Sequence, residues 1–142
     1  FGEMLPNHAN KVTIDETRSD KWGQPVLAID CATGENERLM RVDMMNDMAE
    51  MLEATGVKNV RVTDNTSFPG MGIHEMGTAR MGRDPKSSVL NADNQVWDCR
   101  NLFVTDGSCM ASSACQNPSL TYMALTARAA AFAVDELKRG NL

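Results

Sequence analysis

Residues 117–140 constrain the chain most, because their composition suits a long helix and little else. Pro118 follows Asn117, an alanine-rich run fills the middle, and Lys138-Arg139 precede Gly140. Asparagine suits a helix N-cap, and glycine suits the position just past the last turn. Proline suits the first helical residue, where its missing N–H is not needed. The smallest side chains of the run, Ala127 and Ala129 to Ala131, allow close packing on a sheet. A fold built around this helix therefore needs strands.

Several segments supply them. Residues 11–14 (Lys-Val-Thr-Ile) and 26–29 (Val-Leu-Ala-Ile) are short β-prone runs, separated by a turn-rich stretch that contains Gly23 and Pro25. Two strands joined by a loop are predicted there. Residues 57–62 alternate apolar with polar and read as a half-buried strand. Residues 89–90 and 95–97 flank a turn at 91–94, and residues 101–105 read as a buried strand that ends in Asp106-Gly-Ser108. A second helix is predicted from an N-cap at Asn36 to about Ala54, with Gly56 as its left-handed terminator. Met40, Met44, Met48 and Met51/Leu52 recur at helical spacing, with Val42, Met45 and Ala49 widening the stripe into a core face. The fold class is α+β.

Between these elements, residues 64–88 form a long loop with glycines at 70, 72, 77 and 82. Loops of this length are usually functional or disordered, and this one carries His74. Histidine is the side chain best matched to proton transfer near neutral pH. The other histidine, His8, sits in a polar segment and reads as solvated. The glycines of the loop are spaced G-x-G-x-x-x-x-G, so they form neither the dinucleotide fingerprint nor a phosphate-binding P-loop. Asn117 is the other candidate, because a helix start concentrates partial positive charge and suits a nearby anion.

Charge and cysteine usage narrow the function classes. The formal charge is -5, with scattered basic residues, which argues against nucleic acid or an anionic membrane as the main partner. No run approaches the roughly 18 apolar residues of a membrane span. The four cysteines, at 31, 99, 109 and 115, form no Cys-x-x-Cys pair, so a zinc site is not expected. The spacing leaves a Cys109–Cys115 disulfide open, and free half-buried thiols are the simpler expectation. The chain begins with Phe1 and no signal peptide follows, as in a piece of a longer polypeptide.

The segment His74-Glu-Met-Gly-Thr-Ala-Arg-Met-Gly-Arg-Asp-Pro85 resembles the H-x-x-G-T-x-x-M-G-x-D-P stretch of the glucose–methanol–choline (GMC) oxidoreductases. The likeness continues through Ser88-Val89 to Asn91, through Asn101-Leu-Phe-Val-Thr-Asp106-Gly-Ser108, and to Asn117-Pro118 with Thr121. Residues 1–73 match more loosely, through Glu3 to Pro6, Asn10 to Ile14 and Asp20 to Pro25, as in the family's substrate domain.

The resemblance implies an FAD-dependent enzyme that moves a hydride from an alcohol carbon to flavin. His74 would then take the hydroxyl proton, and Asn117 would hydrogen-bond the substrate oxygen. It further implies that Asp106 and Gly107 lie at a strand end contacting the ribityl-pyrophosphate part of FAD, and that Asn117, Pro118 and Thr121 lie at the isoalloxazine ring. On this reading residues 1–90 belong to an antiparallel substrate-binding domain, and residues 91–142 add a strand and helix to an FAD domain. The family's N-terminal Rossmann half is absent, so this chain alone is expected to bind FAD weakly or not at all. A small-molecule alcohol, guessed to be a sugar or polyol, is the expected substrate. Arg80 and Arg128 are expected in structural ion pairs. The rival expectation is a non-catalytic binding or interaction module that keeps the family's C-terminal fold.

Overall fold

A computed structural model describes residues 2–65 and 68–142 of the chain. The chain divides into two compact units, one ending at Gly72 and the other spanning Ile73–Leu142. Each unit pairs antiparallel strands with one helix, so the α+β class holds.

In the first unit, β1 (Lys11–Ser19) pairs antiparallel with β2 (Pro25–Asp30). The turn between them is organised by Asp20, whose Oδ1 accepts from the backbone N–H groups of Trp22 and Gln24, both at 2.9 Å. Val12 pairs with Ile29 and Ile14 with Leu27, and residues directly opposite in an antiparallel ladder share a face. That face is apolar, yet Ile14, Leu27 and Ile29 are 65, 65 and 64 % exposed.

The helix α1 (Glu35–Ala54) starts one residue before the expected Asn36, with Gly34 as N-cap. Glu37 explains the shift. Its Oε2 accepts from Gly34 N–H at 2.7 Å and its Oε1 from Leu5 N–H at 2.9 Å. One carboxylate thus satisfies a helix-end donor and pins the N-terminal segment. Those N–H donors hold the Glu37 carboxyl below its ordinary range. At the other end Gly56 has φ +88, with Gly56 N–H bonded to Glu53 O and Val57 N–H to Leu52 O, the paired bonds of a Schellman ending. The methionine stripe is only partly a core face. Met40, Met44, Met45 and Ala49 are half-buried, while Met48, Met51 and Leu52 are exposed.

The strand expected at 57–62 does not form. Asn59 takes φ +60, which breaks an extended run, and Val57 and Val62 stay exposed. The segment instead returns toward α1, where Arg41 and Asp64 pair at 3.0 Å.

In the second unit, β3 (Gln95–Val96) pairs antiparallel with β4 (Cys99–Phe103). Single bridges join Leu90 to both Met81 and Val96, and Leu90 is fully buried at the centre. β4 is not the buried strand expected at 101–105. It ends at Phe103, and Arg100, Asn101 and Leu102 face solvent because β3 is its ladder partner on one side only. A 3₁₀ turn (Gly107–Cys109) follows, then α2 (Ser119–Lys138). Helix α2 packs through buried Ala129 and through Phe132, whose ring meets Phe103 edge-on with centroids 6.2 Å apart. Ala127, Ala130 and Ala131 are exposed, so one alanine rather than four makes the close approach. All four cysteines are free thiols. No helix among the described residues is long and apolar enough to cross a membrane.

Candidate functional site

The loop carrying His74 is fixed more firmly than its sequence suggests. Ala79 N–H bonds Ser108 O at 3.1 Å, and Met81 N–H bonds Cys109 O at 2.8 Å. Gly82 N–H bonds Leu90 O, and Val89 and Leu90 both donate to Arg80 O. The stretch from 79 to 90 is therefore stitched to the 3₁₀ turn on one side and folded on itself on the other. His74 lies just ahead of this stretch and is half-buried.

Backbone geometry around His74 is unusual. Ile73 has φ +59 and Gly77 has φ +94. A β-branched residue in the left-handed region is costly, on the order of 1–2 kcal/mol, and glycine is the residue that enters it freely. The histidine thus sits between two left-handed residues that set its exit direction from the chain.

A second contact draws the segments together. Tyr122, in the first turn of α2, donates from its hydroxyl to the Met76 sulfur at 3.6 Å. Both atoms lie over Gly107, where a Cβ would stand 2.8 Å from the Tyr122 hydroxyl and 3.2 Å from the Met76 sulfur. Gly107 is required there by space, not by its φ. Burial is the main reason the Tyr122 hydroxyl titrates above its ordinary range. This contact places the residue two after His74, the candidate cofactor residue Gly107 and the neighbour of Thr121 within one cluster.

Asp106 caps the 3₁₀ turn, its Oδ1 accepting from Ser108 N–H at 2.9 Å and also from the Ser108 hydroxyl. Asn117 does not cap α2. The N-cap is Pro118, at φ -90 and ψ 6, and no side chain bonds the helix start. Asn117 is exposed, and its side chain makes no hydrogen bond among the described residues. Pro118 is buried, Ser119, Leu120 and Thr121 are exposed, and the first-turn N–H groups have no side-chain cap. That donor set suits an anionic group.

Arg80 and Arg128 bind backbone carbonyls, and among the described residues neither makes the ion pair expected of it. Arg80 Nη2 donates to Ser87 O at 2.7 Å, and Arg128 Nη2 donates to Ala92 O at 2.6 Å. Carbonyls at turn ends are their partners because each turn leaves such oxygens unmatched. No group of three or more potential metal-ligating residues occurs among the described residues. The sequence reading missed Asn94, Tyr122 and Met76. An asparagine in a polar turn and a tyrosine in a helix carry no local sign of burial or of a partner far along the chain.

Residues 6–126 match the family model described as GMC oxidoreductase. The chain belongs to the GMC oxidoreductase family. It is 37 % identical to the 2-methyl-1,2-propanediol dehydrogenase of Mycolicibacterium austroafricanum over 132 residues, 91 % of this chain and 23 % of the relative. It is 29 % identical to the fructose dehydrogenase large subunit of Gluconobacter japonicus over 97 % of this chain and 25 % of the relative. It is also 29 % identical to the pyranose 2-oxidase of Lyophyllum shimeji over 99 % of this chain and 23 % of the relative. The chain thus spans about a quarter of the length of the curated relatives it matches.

Proposed function

We propose that the polypeptide carrying this GMC chain is an FAD-dependent oxidoreductase that oxidises a CH–OH group of a sugar or another polyol to a carbonyl. The observation that carries this reading is the Met76–Gly107–Tyr122 contact. It joins the His74 loop to the two segments assigned to the cofactor, Asp106-Gly107 and the Asn117-Pro118-Thr121 helix start. The relatives named for fructose, pyranose and 2-methyl-1,2-propanediol support the substrate class, since each of those compounds bears hydroxylated carbons.

FAD, when bound, supplies the acceptor for the two electrons that leave the alcohol carbon. The residues here fit that group. The uncapped start of α2 has N–H donors and positive helix-end charge that would stabilise negative charge on a reduced flavin. Asp106, fixed by Ser108, holds the turn that brings the Gly107 backbone forward. His74 accepts the hydroxyl proton as the carbon–hydrogen bond breaks. Asn117, exposed and uncommitted to a cap, donates its amide N–H to the same oxygen and cannot act as the base.

Residues 1–90 contribute to the substrate side and residues 91–142 to the FAD domain, with the remainder of the polypeptide enclosing the cofactor. Exposed Leu120 and Met123 in the first turns of α2 offer apolar surface for that remainder to cover. A large cofactor is held only when most of its surface is enclosed. Visible absorption tests the reading. The full-length protein should show flavin bands that bleach when a sugar is added without oxygen, while this chain alone should leave the spectrum of added FAD unshifted. A full-length protein that binds no flavin would make the chain a non-catalytic module.

A further inference from the structure

Asn94 is a buried polar residue with 0 % exposure, and it stands at the crossing of the elements that carry the candidate site. Its Nδ2 donates to Val104 O at 3.0 Å, and its own backbone oxygen accepts from Val104 N–H at 3.0 Å. A single residue therefore grips Val104 at both its N–H and its C=O, two positions before Asp106. On its other side Asn94 Oδ1 accepts from Arg128 Nη2 at 3.2 Å. Arg128 belongs to α2, seven residues after Thr121, or roughly 10 Å along a rigid helix.

We propose that Asn94, held by Arg128, is a positioning residue that fixes the Asp106-Gly107 turn against α2 so that the two halves of the flavin site keep one separation. This rests on the proposed FAD-dependent function. A buried amide is costly when its donor or acceptor is unmatched. Here both ends are used, and they are used on different elements, the end of β4 and the middle of α2. Aspartate would lose the donor to Val104 O, and an aliphatic side chain would lose both bonds. The residue also has φ +62, a conformation that asparagine and glycine accept best. Asn94→Gly therefore removes both side-chain bonds, keeps the backbone oxygen that accepts from Val104 N–H, and leaves the backbone unstrained.

The test uses the full-length protein, with FAD affinity of the apoprotein read by flavin fluorescence and sugar oxidation read as kcat and KM separately. Asn94→Gly should weaken FAD binding roughly tenfold or more, through the loss of one hydrogen bond to a carbonyl and one from a charged guanidinium, and lower kcat with little change in sugar KM. Leu90→Val, a core change outside the clamp, should lower Tm without that loss of affinity. Arg128→Lys keeps the charge and should shift FAD affinity in the same direction as Asn94→Gly. The double variant should be less than additive, as for coupled groups. If Asn94→Gly and Arg128→Lys lower Tm but bind FAD as tightly as Leu90→Val, the clamp is structural only and the proposal fails. Wild-type protein that takes up no FAD overturns the function reading, and this proposal with it.

Discussion

Gly107 shows how a single side chain's absence shapes the site. An alanine there would bring a methyl to 2.8 Å from the Tyr122 hydroxyl, and forced overpacking of this kind costs about 1–3 kcal/mol. Gly107→Ala should lower stability by that amount in urea denaturation, and adding Tyr122→Phe should restore most of it by removing the clashing oxygen. At Gly77 the cause is different. A Cβ there would meet only the Ala111 and Met110 carbonyl oxygens, at 3.9 and 4.0 Å, which is ordinary contact, while φ is +94, so Gly77→Ala should cost about 1–2 kcal/mol through backbone strain, and no partner substitution should rescue it. Glu37 gives a pH signature. Its carboxyl is lowered by the N–H groups of Leu5 and Gly34, so its contribution is complete above the ordinary glutamate range and lost as pH falls through the lowered value. The Gly34 amide proton followed by NMR should report that titration below the usual range, and a midpoint at or above it would contradict the capping role. Residue type and motif spacing single out His74 and Asn117 as the proposed chemical pair. The capping bond expected of Asn117 does not form, because Pro118 takes the N-cap position itself.

At the scale of elements, the signals that came through were local ones. The hairpin of β1 and β2, the terminator at Gly56 and the long helix α2 each follow from turn chemistry and periodicity within a few residues. The strand expected at 57–62 failed because alternation says nothing of a left-handed Asn59 or of a pairing partner. The stitching of residues 79–90 was hidden for the opposite reason. Its bonds run to Ser108 and Cys109, nearly thirty residues away, and glycine-rich sequence masks such pairing. Leu90 is where these segments meet, at 0 % exposure. Leu90→Ala should destabilise the second unit by about 2–5 kcal/mol, measured by denaturation. A cost below 1 kcal/mol would mean the site closes readily and that Leu90 is not its packing centre. Cys109 provides a chemical check on the same core. Its thiol is fully buried and raised in pKa chiefly by that burial, whereas Cys115 is exposed. Alkylation of the native chain should reach Cys115 first and Cys109 last.

Across the whole molecule, the two units carry apolar surface that they do not cover themselves. Ile14, Leu27 and Ile29 line one hairpin face, Met48 and Met51 line α1, and Leu102, Leu120 and Met123 lie exposed in the second unit. A chain spanning about a quarter of its relatives' length is consistent with that exposure. Sequence periodicity marks these residues as core without saying which neighbour covers them, which is why the methionine stripe reads as fully buried and is only partly so. The role proposed for His74, taking the substrate proton in a flavin-dependent oxidation, is open to test by anaerobic stopped-flow reduction of the full-length, FAD-loaded His74→Gln variant with a sugar substrate. The bleaching rate should fall by about 10²–10⁴-fold, the usual worth of a positioned general base, while the flavin stays bound. Bleaching at the wild-type rate would contradict the assignment of His74 as the base.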